Sequence, residues 1–481
     1  MIMKTFLLGL LAYLLCGSAT LSSGGATMRK EKDPDALFDV SQMLVPFWEG
    51  DTVYNESIMP TREKSGNIPA IDLLYPIDEI LEVKSANLKT TYQEGVDYSL
   101  ENGQFIVNPS GQIKSLSYLE FHPADGQAGF ESRNGGYVLW KEGSWFHERQ
   151  TVITYKHQAG YQGYIPEGKG RLLPNILAKL EAKQDINLLV YGDSISTGGN
   201  SSGHPDINVS PWMPIYPKLF QIGLEERFGA KVNLINASVG GTDSAWGVSK
   251  LRSEILNKYD DLDLAIVAFG MNDTTRDPDG FAANIKNIVR GLKSKYKDID
   301  ILMIATMLPN EEAVTFWGHQ SEFYEPLKEM EAEGLVAVNM GGVHAGLLQR
   351  KKYVDMTGNN INHANDFLAR AYAQTLLRTM EVTDYGLPEE EPSGSSSETS
   401  SEIPSEVPSE TPSEVPSETP SAPASSTASV PSDTAVSSSQ PSEEKPSTKG
   451  CGGSIPFVGV SAAIALAGGA TIAYRKKKKN D

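Results

Sequence analysis

Ser194 ends the run Val190-Tyr191-Gly192-Asp193-Ser194, which follows directly on the apolar stretch Ile186-Asn187-Leu188-Leu189. A short apolar run that stops at Gly-Asp-Ser predicts a buried parallel strand presenting a serine at its carboxyl end, the edge of an open α/β sheet where ligands bind. A serine hydroxyl is a poor nucleophile alone. It needs a neighbouring base to take its proton and donors to hold the oxyanion that its attack creates. Three further stretches offer such groups: Asn236-Ala237-Ser238-Val239-Gly240-Gly241-Thr242, Phe269-Gly270-Met271-Asn272-Asp273 and Asn360-Ile361-Asn362-His363. The first two follow predicted strands and the third precedes the last predicted helix. Of the seven histidines, His363 is therefore the candidate base. His122, His147 and His157 fall in a β-patterned region, and His204, His319 and His344 match none of these stretches.

In this order the four blocks resemble the SGNH (GDSL-like) hydrolase family, whose blocks contribute Ser, Gly, Asn and His, over roughly residues 185–382. The resemblance implies a three-layer α/β/α, flavodoxin-like domain with a parallel sheet. It implies Ser194 as nucleophile, His363 as general base, and Gly241, Asn272 and the Ser194 N–H as oxyanion donors. Gly240 takes the place of Gly241 if the register differs by one. Glycine lets a main-chain N–H approach the reacting carbonyl, and an asparagine amide is a neutral donor that does not neutralise the base. The Gly192-Asp193-Ser194-Ile195-Ser196 context lacks the last glycine of the GxSxG elbow, which disfavours the α/β-hydrolase alternative.

One position departs from the family. Where relatives carry Asp three residues before the histidine, this chain has Asn360, and an amide brings no negative charge to an imidazolium. Either Asn360 itself, Asp355, Asp366 or a backbone carbonyl orients His363, or Ser194 and His363 work as a dyad. Trp246, just beyond the Gly block, either walls the substrate pocket or packs in the core. Asp277-Pro278-Asp279-Gly280 reads as a turn into a helix, since the remaining positions of a calcium loop are missing. There is no zinc spacing and no phosphate loop, so no metal site is expected, and the implied reaction needs no cofactor.

The elements that must position these residues follow from periodicity. Apolar runs at 186–190, 231–235, 262–269, 299–306 and 335–339 predict five strands. They alternate with helical spacing at 212–228, 244–256, 279–294, 323–333 and 365–380, after a helix or connector at 171–183. Such alternation implies a parallel sheet covered on both faces. Ahead of it, about residues 35–170 show short alternating runs separated by Asn-Gly and Pro-Ser-Gly turns, which predicts an all-β, jelly-roll-like sandwich. Its aromatics Phe47, Trp48, Trp140, Trp145 and Phe146 read as sandwich core, with sugar stacking as the competing use.

The rest of the 481 residues carries organisation rather than chemistry. Residues 1–26 have the basic start, apolar core and small-residue end of a secretory signal peptide. Residues 386–450, rich in Ser, Pro, Glu and Thr, predict a disordered linker. Residues 455–474 are apolar enough to span a bilayer, and the basic tail 475–481 places that end in the cytoplasm. The expected location is the plasma membrane, with a single pass and the catalytic part outside, in a monoderm bacterium. A net charge of -19 argues against nucleic acid as a partner. Both cysteines, Cys16 and Cys451, lie outside the two globular regions, so no disulfide supports the fold. Oligomeric state is not legible.

A β region ahead of an SGNH domain resembles carbohydrate O-acetyl esterases, which implies an acetylated polysaccharide or cell-wall glycan as substrate. A lipid or other short-chain acyl esterase is the enzymatic alternative. An inactive, surface-displayed glycan-binding protein is the alternative of another class, and the missing Asp at 360 is its main support.

Overall fold

The structure, a computed structural model, describes residues 37–124 and 129–385. The leader 1–26, the linker 386–450, the apolar span 455–474 and the tail 475–481 lie outside the described residues. No helix among the described residues is long and apolar enough to cross a membrane.

Seven short strands come first: β1 (Thr52–Ile58), β2 (Glu79–Ser85), β3 (Tyr98–Glu101), β4 (Gln104–Val107), β5 (Gly129–Glu131), β6 (Tyr137–Leu139) and β7 (Thr151–Lys156). Five more continuously apolar ones follow: β8 (Ile186–Gly192), β9 (Val232–Asn236), β10 (Leu264–Ala268), β11 (Asp300–Ala305) and β12 (Leu335–Asn339).

The later five form one parallel sheet in the order β12-β11-β10-β8-β9. Apart from the edge strand β9, most of which is half-buried, its strands are almost entirely buried on both faces, as their near-continuous apolar runs require. Leu188, Val190, Leu264, Ile266, Leu302 and Ile304 join a core with the helices Pro174–Glu181, Tyr216–Phe228 and Asp366–Thr379. Leu189, Tyr191, Ala265, Val267, Ile301 and Met303 join a second core with the helices Ser244–Leu251, Pro278–Lys295 and Tyr324–Lys328. The result is the α/β/α arrangement implied above. From β8 the chain goes to β9 on one side and then returns to β10 on the other. The carboxyl end of β8 is therefore the topological switch point, where such sheets open a crevice for ligands.

Helix ends differ from the sequence reading for identifiable reasons. The helix predicted from 212 begins only at Tyr216, with Pro217 in its first turn, because Pro211 and Pro214 hold the preceding residues out of the helical region. Helix Met340–Leu348 escaped the pattern because it contains Gly341, Gly342 and Gly346.

The N-terminal region is β-rich, in smaller pieces than a two-sheet sandwich. β1, β7 and β2 make a three-stranded antiparallel sheet, and β3-β4 and β5-β6 are separate two-stranded ribbons. The inner face of the three-stranded sheet meets the rest of the molecule instead of a second sheet. Val53, Ile58, Ile153 and Tyr155 share one apolar core with Phe220, Phe367 and Leu368, and the described residues belong to one compact unit. Polar groups complete the junction. Lys351 and Glu56, both fully buried, pair at 2.6 Å, and Tyr155 donates to the other Glu56 oxygen at 2.7 Å. Arg370 donates to the carbonyls of Tyr54 and Asn55, and Gln374 to those of Met43 and Val45. Phe47, Trp48 and Phe146 are buried, which assigns them to the core; Trp140 and Trp145 are half-buried.

Candidate active site

β8 ends in Gly192, and Asp193 caps the four-residue helix Ser194–Thr197 by accepting the Ile195 N–H at 3.0 Å. That cap turns the chain sharply and leaves Ser194 half-buried at the sheet edge. Its Oγ lies 2.8 Å from His363 Nε2. The other ring nitrogen, Nδ1, lies 2.5 Å from Asn200 Oδ1. The asparagine's orientation is set by its second contact, since its Nδ2 donates to the Gly143 carbonyl at 3.1 Å. With its oxygen thus facing the ring, Nδ1 must carry the hydrogen, and Nε2 is free to accept the serine proton.

The imidazole is held from a second side. Asn359 Oδ1 accepts the backbone N–H groups of Ile361, Asn362 and His363 at 3.0 to 3.1 Å, which curls the loop that carries the base. Gly199 lies against the ring, where a Cβ would stand 3.0 Å from His363 Cε1, so a larger residue would push the base away. Burial lowers the His363 pKa from its ordinary 6.5, an effect that His204 reinforces and the carboxylate of Glu142 opposes. A neutral, accepting imidazole at neutral pH is what a general base requires.

The Gly block is fastened beside the nucleophile. Ala237 and Val239 donate to the carbonyls of Val190 and Gly192, which continues the ladder past the end of β9. Gly240 then passes Ser194, where a Cβ would come to 3.8 Å from the Ser194 Cβ. Gly241 takes φ +74°, a conformation that favours glycine. Asn272, half-buried after β10, donates to the Thr242 carbonyl at 2.9 Å and so clips this loop to the next one. Neither Ser194 N–H nor Gly241 N–H donates to a protein acceptor among the described residues. The Gly240 backbone thus passes beside Ser194, and Asn272 ties the Gly block to the loop after β10.

The proposed orienting groups at 355 and 360 are elsewhere. Asn360 is fully buried at φ +68°; its Nδ2 donates to the Leu139 carbonyl, and its own carbonyl accepts from Asn310. A carboxylate there would face a carbonyl, which is the physical reason for an amide at 360. Asp355 accepts the N–H groups of Met59 and Lys352. Asp366 accepts the Ser202 N–H. None of the three reaches the His363 ring, and Asn200 does. Trp246 is half-buried and packs against the second core, its ring centroid 6.1 Å from that of Tyr191, which is the contact the packing alternative expects.

Asp193 is 1% exposed, its Oδ2 accepts no hydrogen bond among the described residues, and burial pushes its pKa up to about 7. Among the described residues no group of three His, Cys, Asp or Glu side chains is placed to hold a metal ion.

Asn200, Asn359 and Glu142 escaped sequence reasoning. Asn200 stands in a Gly-Gly-Asn-Ser-Ser run that reads as plain loop, and Glu142 belongs to the other region of the chain.

Residues 190–371 match the GDSL-like Lipase/Acylhydrolase family. No curated protein matches the chain. Among solved structures, a two-domain esterase active on acetylated mannans, co-crystallised with mannopentaose, is 22% identical with a TM-score of 0.35. The alignment covers 48% of this chain and 61% of that one, less than two thirds of its length. A catalytic mutant of an acetylxylan esterase from Geobacillus stearothermophilus is 13% identical with a TM-score of 0.34, over 46% of this chain and 98% of that one.

Proposed function

We propose that residues 190–371, which match the GDSL-like Lipase/Acylhydrolase family, form a serine ester hydrolase domain, and that it acts as a carbohydrate O-acetyl esterase through an acyl-enzyme. The observation that carries the mechanism is the 2.8 Å contact of Ser194 Oγ with His363 Nε2, in a ring whose opposite nitrogen is engaged by Asn200. Ser194 attacks the ester carbonyl while His363 takes its proton. The N–H groups of Ser194 and Gly241 and the Asn272 amide hold the tetrahedral oxyanion. His363 then gives the proton to the departing sugar hydroxyl. In the second half a water, deprotonated by His363, releases acetate from Ser194.

A short acyl group fits the surroundings of the serine. Exposed Val239, Gly240 and Gly241 form its rim and supply little apolar wall for a long chain. A sugar is favoured over a lipid by the loop that leaves Asn200. That loop carries half-buried His204 and ends at Trp212, which is 51% exposed and held at φ +59°, a backbone conformation that bulky residues rarely adopt. An exposed indole face suits stacking on a sugar ring. Placement outside the cell, with a single-pass anchor in the plasma membrane, is part of the proposal and rests on the sequence patterns at 1–26 and 455–479.

The test is a chromogenic ester series from acetate to octanoate, followed by acetate release from acetylated xylan, acetylated mannan and O-acetylated peptidoglycan. Acetate should be preferred, and one of the glycans should be deacetylated. Preference for octanoate would move the assignment to a lipid esterase.

A further inference from the structure

Two asparagines frame the His363 ring and its loop, and both are held from outside the hydrolase domain by one short segment of the N-terminal region. Gly143 accepts from Asn200 Nδ2 at 3.1 Å, and the neighbouring Glu142 accepts from Asn359 Nδ2 at 3.1 Å through Oε1. The same Oε1 accepts the indole N–H of Trp140 at 3.0 Å, which orients the carboxylate. Trp140 is seated in turn. With Phe130 and Phe316 it packs on a small core of Val138, Ala313 and Ile361, the last only two residues before the base. The segment 140–143 therefore touches both sides of the histidine's support, and it brings a carboxylate to a site whose own loop has Asn360 where relatives carry an acid.

We propose that this segment is part of the catalytic machinery, with Glu142 a positioning residue that supplies, across the junction of the two regions, the negative charge the His363 loop lacks. The inference rests on the esterase reading for its effect on rate, but its electrostatic content does not. During attack on the ester His363 gains a proton, and a carboxylate held nearby favours that charged form even without touching the ring. Asn200 alone is neutral and orients the ring without stabilising the cation. The titratable groups around the imidazole are Glu142 from the N-terminal region, His204 from the loop after β8 and Ser194 itself; Asp366, on the following helix, is engaged by the Ser202 N–H and lies 3.9 Å from His147. Glu142 is exposed, so its influence is screened by salt.

Glu142→Gln is the decisive variant. A glutamine oxygen still accepts from Trp140 and Asn359, so only the charge is removed, and an exposed position does not threaten folding. Two readouts are taken on the full chain. In an NMR pH titration, with the His363 resonance assigned by its loss in His363→Gln, the pKa of His363 should fall in Glu142→Gln. In kinetics on a chromogenic acetate ester, kcat should fall about threefold to tenfold. The acid limb of kcat/KM should move to lower pH, and both differences should shrink in 1 M salt. An unchanged His363 pKa overturns the proposal, whatever the rates. A rate loss in Glu142→Ala that Glu142→Gln fully restores, with the acid limb unmoved, also overturns it, because the segment would then act only as a scaffold. A wild-type chain without Ser194-dependent hydrolysis would sink the esterase reading separately, while the titration would still decide whether Glu142 acts on His363.

Discussion

The two regions of this molecule are held together in opposite ways. The hydrolase region is organised by apolar runs: five parallel strands whose side chains alternate between two cores, with the chemistry gathered at one edge. The N-terminal region has strands of three to seven residues in a three-stranded sheet and two ribbons, and part of its stability is borrowed through buried polar contacts with its neighbour. Lys351 with Glu56, Asp355 with the Met59 N–H, and Arg370 with the Tyr54 and Asn55 carbonyls all cross the junction. The difference teaches that the first region could keep its sheet on hydrophobic pattern alone, whereas the second is a partner shaped to one surface. That surface includes the loop of His363.

The sharpest way to break this contrast is at the buried ion pair. Lys351→Ala leaves Glu56 charged and unpaired in the interior, and it should cost about 3–5 kcal/mol in chemical denaturation. A cost below about 1 kcal/mol would mean that the junction is not held by polar groups. Next in size is Asn200→Ala, which leaves His363 Nδ1 without its acceptor and frees the ring to take the wrong tautomer. It should lower kcat on the order of 10-fold to 100-fold with little change in KM, as an orienting group for the base should. A change confined to KM would place Asn200 in substrate binding instead.

A test that reads a slope rather than a loss concerns Asp193 and sharpens the hydrolase side of the comparison, where a polar group is buried without a full set of partners. Its folded-state pKa, pushed up to about 7, exceeds the roughly 4 of an unfolded aspartate. Between those values the folded state keeps a proton that the unfolded chain has released. Stability from this group is therefore present at low pH and is lost as pH rises through about 4 to 7. Asp193→Asn should remove up to about 1.4 kcal/mol per pH unit of that slope, measured by denaturation at several pH values. An identical slope in both proteins would show that the carboxyl is ionised throughout.

How much of this was legible in the sequence follows from the same contrast. The five strands of the sheet lie close to the places where apolar runs predict them, because a strand buried on both faces has to be apolar along its length. The sharp edge at Ser194 and the Gly block could be located because turns after parallel strands leave Gly, Ser and Asn signals. What was not legible depends on contacts between distant segments. Nothing local distinguishes Asn200 from any loop asparagine, since its role comes from lying between Gly143 and His363, 57 and 163 residues away. Asn360 looked like a defect in a triad, and its reason, a hydrogen bond to the Leu139 carbonyl, likewise lies 221 residues back. The short alternating runs of about residues 35–170 pointed to a β region, but they could not show that the face buried by β1 and β7 is covered by helix Asp366–Thr379 rather than by a second sheet.

The central claim is that Ser194 and His363 form one working nucleophile, and the most direct measurement is intact-protein mass spectrometry during turnover of an activated acetate ester. Wild type should show an added acetyl group on Ser194 that disappears as substrate is consumed. Ser194→Ala should show none and should lose at least about 10⁴-fold in kcat/KM. Equal hydrolysis by the two proteins, or an acetyl group lodged on another residue of wild type during turnover, would contradict the account.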